Sequence, residues 1–128
     1  MNGSGTVNGA IRFTGESSSF SASQGDVVRD GVFLSDGDDT VDLKLNTIVI
    51  DGGLGNDSIT LGVDDFGVDP NATRMSIDLA NYTNFEDVSL SDGIDATLSN
   101  DKIYTNLIMD GASLDLGGHT LTSNLIEV

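Results

Sequence analysis

The sequence predicts an all-β chain folded as a parallel β-solenoid (a β-roll or β-helix) of about six or seven short coils. Three observations carry that prediction. Helical periodicity is scarce, whereas short period-two stretches are frequent, each bounded by Gly, Asn, Asp or Ser. The stretches recur roughly every nine to ten residues, and turns of like sequence recur at fixed offsets, the mark of coils that bury one face on the next. Composition agrees: among 128 residues aromatics make up 5%, Trp is absent and Gly numbers 16. That is material for a thin aliphatic stack and too little for a thick aromatic core.

Taken in order, residues 1–30 stand apart. TGESSSFSASQGD (14–26) is Ser-rich and weakly apolar, so this segment is read as an N-terminal arm or capping segment. Residues 31–128 are read as the solenoid domain. Strands are expected at GVFLS (31–35), TVDLKL (40–45), TIVI (47–50), SITLGV (58–63), MSIDLA (75–80), DVSLS (87–91), NLIMD (106–110), SLDLG (113–117) and HTLTS (119–123). A looser stretch from Val63 to Met75 surrounds the lone Pro70.

Two repeats organise this domain. DGDDTVDL (36–43) aligns with LGNDSITL (54–61) at an offset of 18, matching Gly37 to Gly55, Asp39 to Asp57, Val41 to Ile59 and Leu43 to Leu61. LSDGDD (34–39) recurs as LSDGID (90–95) at an offset of 56, which suggests a loose duplication of about 31–65 and 87–124.

The stretch GGLGNDSIT (52–60) matches every fixed position of the nonapeptide G-G-x-G-x-D-x-U-x, where U is a large apolar residue. Here the chain resembles the RTX family, the hemolysin-type calcium-binding repeats of secreted bacterial proteins. The match covers about 30 residues well (32–62) and the rest loosely. The resemblance implies a parallel β-roll in which Ca²⁺ sits between two same-side turns, 18 residues apart, held by Asp side chains and turn carbonyls. Carried onto this sequence, the ligands are Asp39 and Asp57, with Asp36, Gly37, Gly53 and Gly55 in the turns that complete the shell. LSDGDDTVD departs from the pattern, with Ser35 and Asp36 in place of the double glycine. The half-turn LKLNTIVID (43–51) lacks the glycines altogether, and LSDGIDATL (90–98) keeps Gly93 and Asp95 but finds Ser113 eighteen residues later. SLDLGGHTLTS (113–123) is similar to the strand–turn–strand text of bacterial and phage surface β-helix proteins.

Elementary electrostatics supports the pairing independently. Coils of a parallel sheet lie ~4.8 Å apart, and two carboxylates at about 5 Å repel by ~3 kcal/mol at an effective dielectric of 20. A fold that stacks Asp39 over Asp57 must protonate one, splay them or bind a cation. Oxygen-only ligands suit Ca²⁺ better than Mg²⁺, which demands a near-ideal octahedron. Asp-Gly and Asn-Asp are also ordinary turn dipeptides, so a metal-free solenoid with Asp caps is the competing reading. An EF-hand is disfavoured, because no glutamate stands twelfth in a loop that begins at Asp36 or Asp51.

Charge and composition narrow the function. A formal charge of −16, from 21 acidic and 5 basic residues, opposes binding to a nucleic-acid backbone or an anionic membrane. No apolar run approaches the length of a membrane span, and MNGSGTVNGAIRF shows no secretory signal peptide. Cysteine is absent and His119 is the only histidine, so thiolate sites and multi-His zinc sites are excluded. The pairs Asp38/Asp39 and Asp64/Asp65 imitate a glycosidase dyad, but neighbouring strand residues point to opposite faces. The expectation is a non-enzymatic structural protein of an exterior assembly, in a virion decoration or fibre or a cell-surface layer. Its coils would be stapled by Ca²⁺, and its partners would be its own copies or a protein lattice. The alternative is a calcium-dependent RTX-type folding module of a type I-secreted bacterial protein.

Overall fold

The computed structural model of the chain describes residues 5–63 and 74–128. The Asp64/Asp65 pair and Pro70 lie outside the described residues. The strands are β1 (Thr6–Val7), β2 (Ile11–Arg12), β3 (Ser19–Ala22), β4 (Val27–Val28), β5 (Val32–Phe33), β6 (Thr40–Lys44), β7 (Ile50–Asp51), β8 (Ser58–Gly62), β9 (Met75–Asp78), β10 (Tyr82–Thr83), β11 (Asp87–Leu90), β12 (Ile94–Thr97), β13 (Lys102–Met109), β14 (Ser113–Asp115) and β15 (Leu121–Glu127). One 3-10 turn, Leu79–Asn81, separates β9 from β10; the Asp78 side chain caps it by accepting from the Ala80 N–H. Among the described residues no helix is long and apolar enough to cross a membrane.

Every strand pairing among the described residues is parallel. The longest sheet has six strands in the order β3-β6-β8-β11-β13-β15, one from each coil, so the chain is a β-solenoid of about six turns. A four-stranded sheet runs β2-β5-β7-β10 and a three-stranded sheet runs β9-β12-β14, while β1 pairs with β4. The 18-residue alignment made in the sequence is the observed register: Thr40 pairs with Ser58, Val41 with Ile59 and Leu43 with Leu61.

Register stacking gathers like side chains into rows. Val41, Ile59, Val88 and Leu107 form one inward row, and Leu43, Leu61 and Leu90 form the next; all are at most 2% exposed. A third row stacks Val32 on Ile50 on Tyr82, and a fourth stacks Ile77 on Ala96. β-branched and leucine side chains suit this geometry because each fills the space above its counterpart in the coil beneath.

The Ser-rich N-terminal segment carries β1 to β4, and β3 is laid on β6 as the first coil. Phe13 and Phe20 meet edge-on there, with ring centroids 6.3 Å apart, and Arg12 lies over the Phe33 ring at 4.3 Å. This end of the stack is plugged by aromatics. At the other end β15 pairs, among the described residues, with β13 alone, and its Leu125 and Ile126 are about half exposed.

One corner changes along the axis. Between the four- and six-stranded sheets the chain crosses at Phe13–Ser18, Leu34–Asp39 and Gly52–Asp57, then in only three residues at Asn84–Glu86. In the next coil β13 runs straight through. The two LSDG turns occupy different corners: residues 34–39 lead into β6 of the six-stranded sheet, and 90–95 lead into β12 of the three-stranded sheet. The 56-residue offset therefore relates turns of like sequence that do not stack.

Leu61, 1% exposed, sits mid-row between Leu43 and Leu90, whereas its neighbour Thr60 is exposed on the outer face. Leu61→Ala is expected to destabilise the fold by about 2–5 kcal/mol. Thr60→Ala is expected to stay within about 0.5 kcal/mol of wild type. Urea unfolding of the two variants checks this; equal losses would refute the inward and outward assignments.

Candidate functional site

The corner formed by residues 13–18, 34–39, 52–57 and 84–86 is where the chain concentrates buried charge. Register places Ser18, Asp39, Asp57 and Glu86 one above another, each just before the strand that follows. Asp39 is 1% exposed and Asp57 0%. The other member of the first acidic pair, Asp38, points to solvent, where its Oδ1 accepts the Asn56 N–H at 2.9 Å.

Backbone geometry brings these turns unusually close. Gly53 and Gly55 have φ of 84° and 111°, left-handed values that other residues rarely adopt. A side chain on Gly53 would meet Ser35 O at 2.6 Å, and one on Gly55 would collide with Gly37 O. Gly37 needs no such φ; a side chain there would collide with the Glu16 carbonyl oxygen of the coil before. Backbone thus lies on backbone through three successive turns, and the carbonyls of residues 34–37 face the glycines of the next turn.

A ladder of charge-assisted hydrogen bonds runs up the corner. Asp39 Oδ1 accepts from the Ser18 N–H, from Ser18 Oγ at 2.7 Å and from Ser35 Oγ at 2.8 Å. Asp57 Oδ1 accepts from the Asp39 N–H at 2.8 Å, and Glu86 Oε2 accepts from the Asp57 N–H at 2.8 Å. Each carboxylate therefore caps the amide of the coil before it, a way of easing repulsion that the sequence argument did not include. The relief is uneven. Among the described residues Asp39 has three donors, but Asp57 has one and faces Asp39, Glu86 and Asp38. Burial first, then those three charges, push the Asp57 carboxyl up to about 6, against the Asp39 N–H that pulls it down.

The ladder uses one oxygen of each aspartate. Asp39 Oδ2 and Asp57 Oδ2 are both buried without a hydrogen-bond partner, and of four such side-chain oxygens among the described residues two lie at this corner. Buried unpaired carboxylate oxygens are costly, and a hard cation is one of the few groups that satisfies them. Among the described residues no three His, Cys, Asp or Glu side chains gather around one point, so a cation here would complete its shell with turn carbonyls and water. Asp36 is exposed and brings only its carbonyl toward Gly55. Asp39 and Gly37, and Asp57, Gly53 and Gly55, lie on two adjacent stacked turns of this corner.

Ser18, Ser35 and Glu86 are not among the ligands that the sequence motif assigns. Ser18 and Glu86 stand 21 and 29 residues from their partners in the ladder, outside the 18-residue repeat. The second LSDG turn is differently made: Asp95 is bound by Arg74 at 2.8 Å and by Ser113 Oγ at 2.6 Å, and these two partners hold its carboxyl below the usual range. His119 closes a tight turn through its N–H to Leu116 O, with Nδ1 3.5 Å from Asp101. Comparison with protein-family models, with curated proteins and with solved structures returned no match.

The raised Asp57 carboxyl means that between about pH 4 and 6 the native state holds a proton the unfolded chain has released. Its contribution is therefore full below about pH 4 and is lost as pH rises through 6, an amount on the order of 3 kcal/mol. The lowered carboxyls of Asp26, Asp78 and Asp95 act in the opposite sense at acid pH. The difference between wild type and Asp57→Asn isolates the Asp57 contribution: Asp57→Asn should flatten the fall in melting temperature between pH 4 and 7. Parallel profiles would show that Asp57 titrates normally.

Proposed function

We propose that this protein is a non-enzymatic structural module whose coils are stapled by Ca²⁺ and which serves in an exterior assembly. The observation that carries the reading is the pair of buried, unpartnered oxygens, Asp39 Oδ2 and Asp57 Oδ2, on stacked turns whose carbonyls face the next coil. Asp39 and Asp57 supply carboxylate oxygens, and the turns holding Asp36, Gly37, Gly53 and Gly55 supply carbonyls. The ion contributes only charge and coordination. It offsets the repulsion of two acids stacked in a chain of formal charge −16, and ties neighbouring coils to each other.

A fold whose stability depends on a hard-cation site suits surroundings rich in calcium, which supports an exterior role such as a virion decoration or fibre or a cell-surface layer. Leu125 and Ile126, about half exposed on β15, support association with further copies or with a protein lattice. The first coil, closed by Phe13 and Phe20, supports the capping role for the N-terminal segment. The calcium-dependent folding module of a type I-secreted protein shares the same site and differs in what calcium does: there the ion decides whether the chain folds at all.

Circular dichroism and melting during a Ca²⁺ titration test the staple. Wild type should gain stability with added Ca²⁺, by about 2.7 kcal/mol at a hundredfold excess over Kd, while Asp57→Ala should gain little. If the two respond alike, the staple is wrong. Sedimentation with and without EDTA separates the two roles: oligomers that persist in EDTA indicate the assembly protein, and a monomer that unfolds on chelation indicates the secretion module.

A further inference from the structure

The Asp57 carboxylate reaches beyond the turn pair in which the sequence motif places it. Its Oδ1 is directed to the preceding coil, where it accepts the Asp39 N–H at 2.8 Å. Its Oδ2, fully buried and unpartnered, lies instead 2.8 Å from the point that a Gly52 side chain would occupy. The carbonyl oxygen of Asn84, from the following coil, crowds that same point. Two oxygens from different coils thus converge on the bare face of Gly52 and lie no more than about 5 Å apart, a span that one Ca²⁺ with bonds of about 2.4 Å bridges. Glu86, on the same short turn as Asn84, holds its carboxylate against the Asp57 N–H at 2.8 Å.

We propose a second cation seat, between turn 52–57 and turn 84–86, formed by Asp57 Oδ2, the Asn84 carbonyl and the Glu86 carboxylate. It takes a hard divalent cation, Ca²⁺, with water completing the shell. Asp57 Oδ2 is common to the two seats, shared between the staple with Asp39 on one side of its turn and the Asn84–Glu86 turn on the other. The turn that supplies Asn84 and Glu86 lacks the glycine-rich motif, so the site is invisible to a search for the nonapeptide. The short crossing at 84–86 also gains a purpose: with three residues in place of six, it lowers a carbonyl and a carboxylate directly onto the Asp57 turn.

This inference rests on the calcium staple proposed above but differs from it in stoichiometry. Equilibrium dialysis of the full chain against Ca²⁺, with the ion counted per chain, decides it. Wild type should bind two ions. Glu86→Gln, which keeps an oxygen for the Asp57 N–H, should bind one and retain the wild-type circular dichroism spectrum. Asp39→Asn should also bind one, having lost the other seat. One ion per chain in both wild type and Glu86→Gln would overturn the second seat and leave the staple standing. No binding by any of the proteins would overturn both.

Discussion

In-register parallel stacking is the constraint on which the rest of this molecule depends. It repeats each position about 4.8 Å along the axis, so whatever one coil places at a point, the next coil places beside it. For aliphatic side chains the repetition is favourable. Val41, Ile59, Val88 and Leu107 each cover the one before and leave almost nothing exposed. For carboxylates the same repetition is unfavourable, and Asp39, Asp57 and Glu86 would repel along the corner if nothing intervened. The amide-to-carboxylate ladder is the answer built into the chain, and it leaves one oxygen of each buried aspartate unanswered.

The parts of this arrangement that the sequence displayed are those that obey a constant period. The 18-residue offset between residues 36–43 and 54–61 became the register of β6 on β8, and with it the stacking of Asp39 and Asp57. Glu86 stayed hidden because its position, equivalent to that of Asp57, comes 29 residues later and not 18. Ser18 stayed hidden in a Ser-rich run without a distinguishing neighbour. Two-residue strands such as β2, β5 and β10 fall below the length at which alternation is readable. β13 begins earlier than NLIMD suggests, because its buried residues Tyr104 and Leu107 are three apart and break the period of two. There, the N–H groups of Thr105 and Asn106 both donate to the Glu86 carbonyl. The likeness of LSDGDD to LSDGID shows the opposite hazard: equal text, at unequal corners of the coil.

The glycines of the motif also divide by cause. Gly53 and Gly55 adopt left-handed backbone, but Gly37 is needed only because the Glu16 carbonyl oxygen takes the place of its side chain. Both causes serve one end, the direct contact of turn on turn. Close turns bring carbonyl oxygens near buried carboxylates, and that proximity is favourable only when a positive charge or a proton lies between them. The rise of the Asp57 carboxyl to about 6 expresses the same demand in the absence of an ion.

A neutral comparison lies within the same coil. Where the chain leaves β6, Asn46 is also buried, and it closes its corner without charge. Its Nδ2 donates to Ser23 O at 2.7 Å and Asp26 O at 3.0 Å, while its Oδ1 accepts the Ile48 N–H at 2.9 Å. One amide therefore bridges two coils with every polar atom of its side chain engaged. The solenoid can thus close a buried corner with a neutral side chain, and the fold itself does not require acids at 39 and 57. Their presence in stacked positions, each with an oxygen to spare, is a departure from the simpler solution a few residues away. Under the proposed staple that departure would become an advantage, the cation converting the least favourable repetition in the stack into a tie between coils.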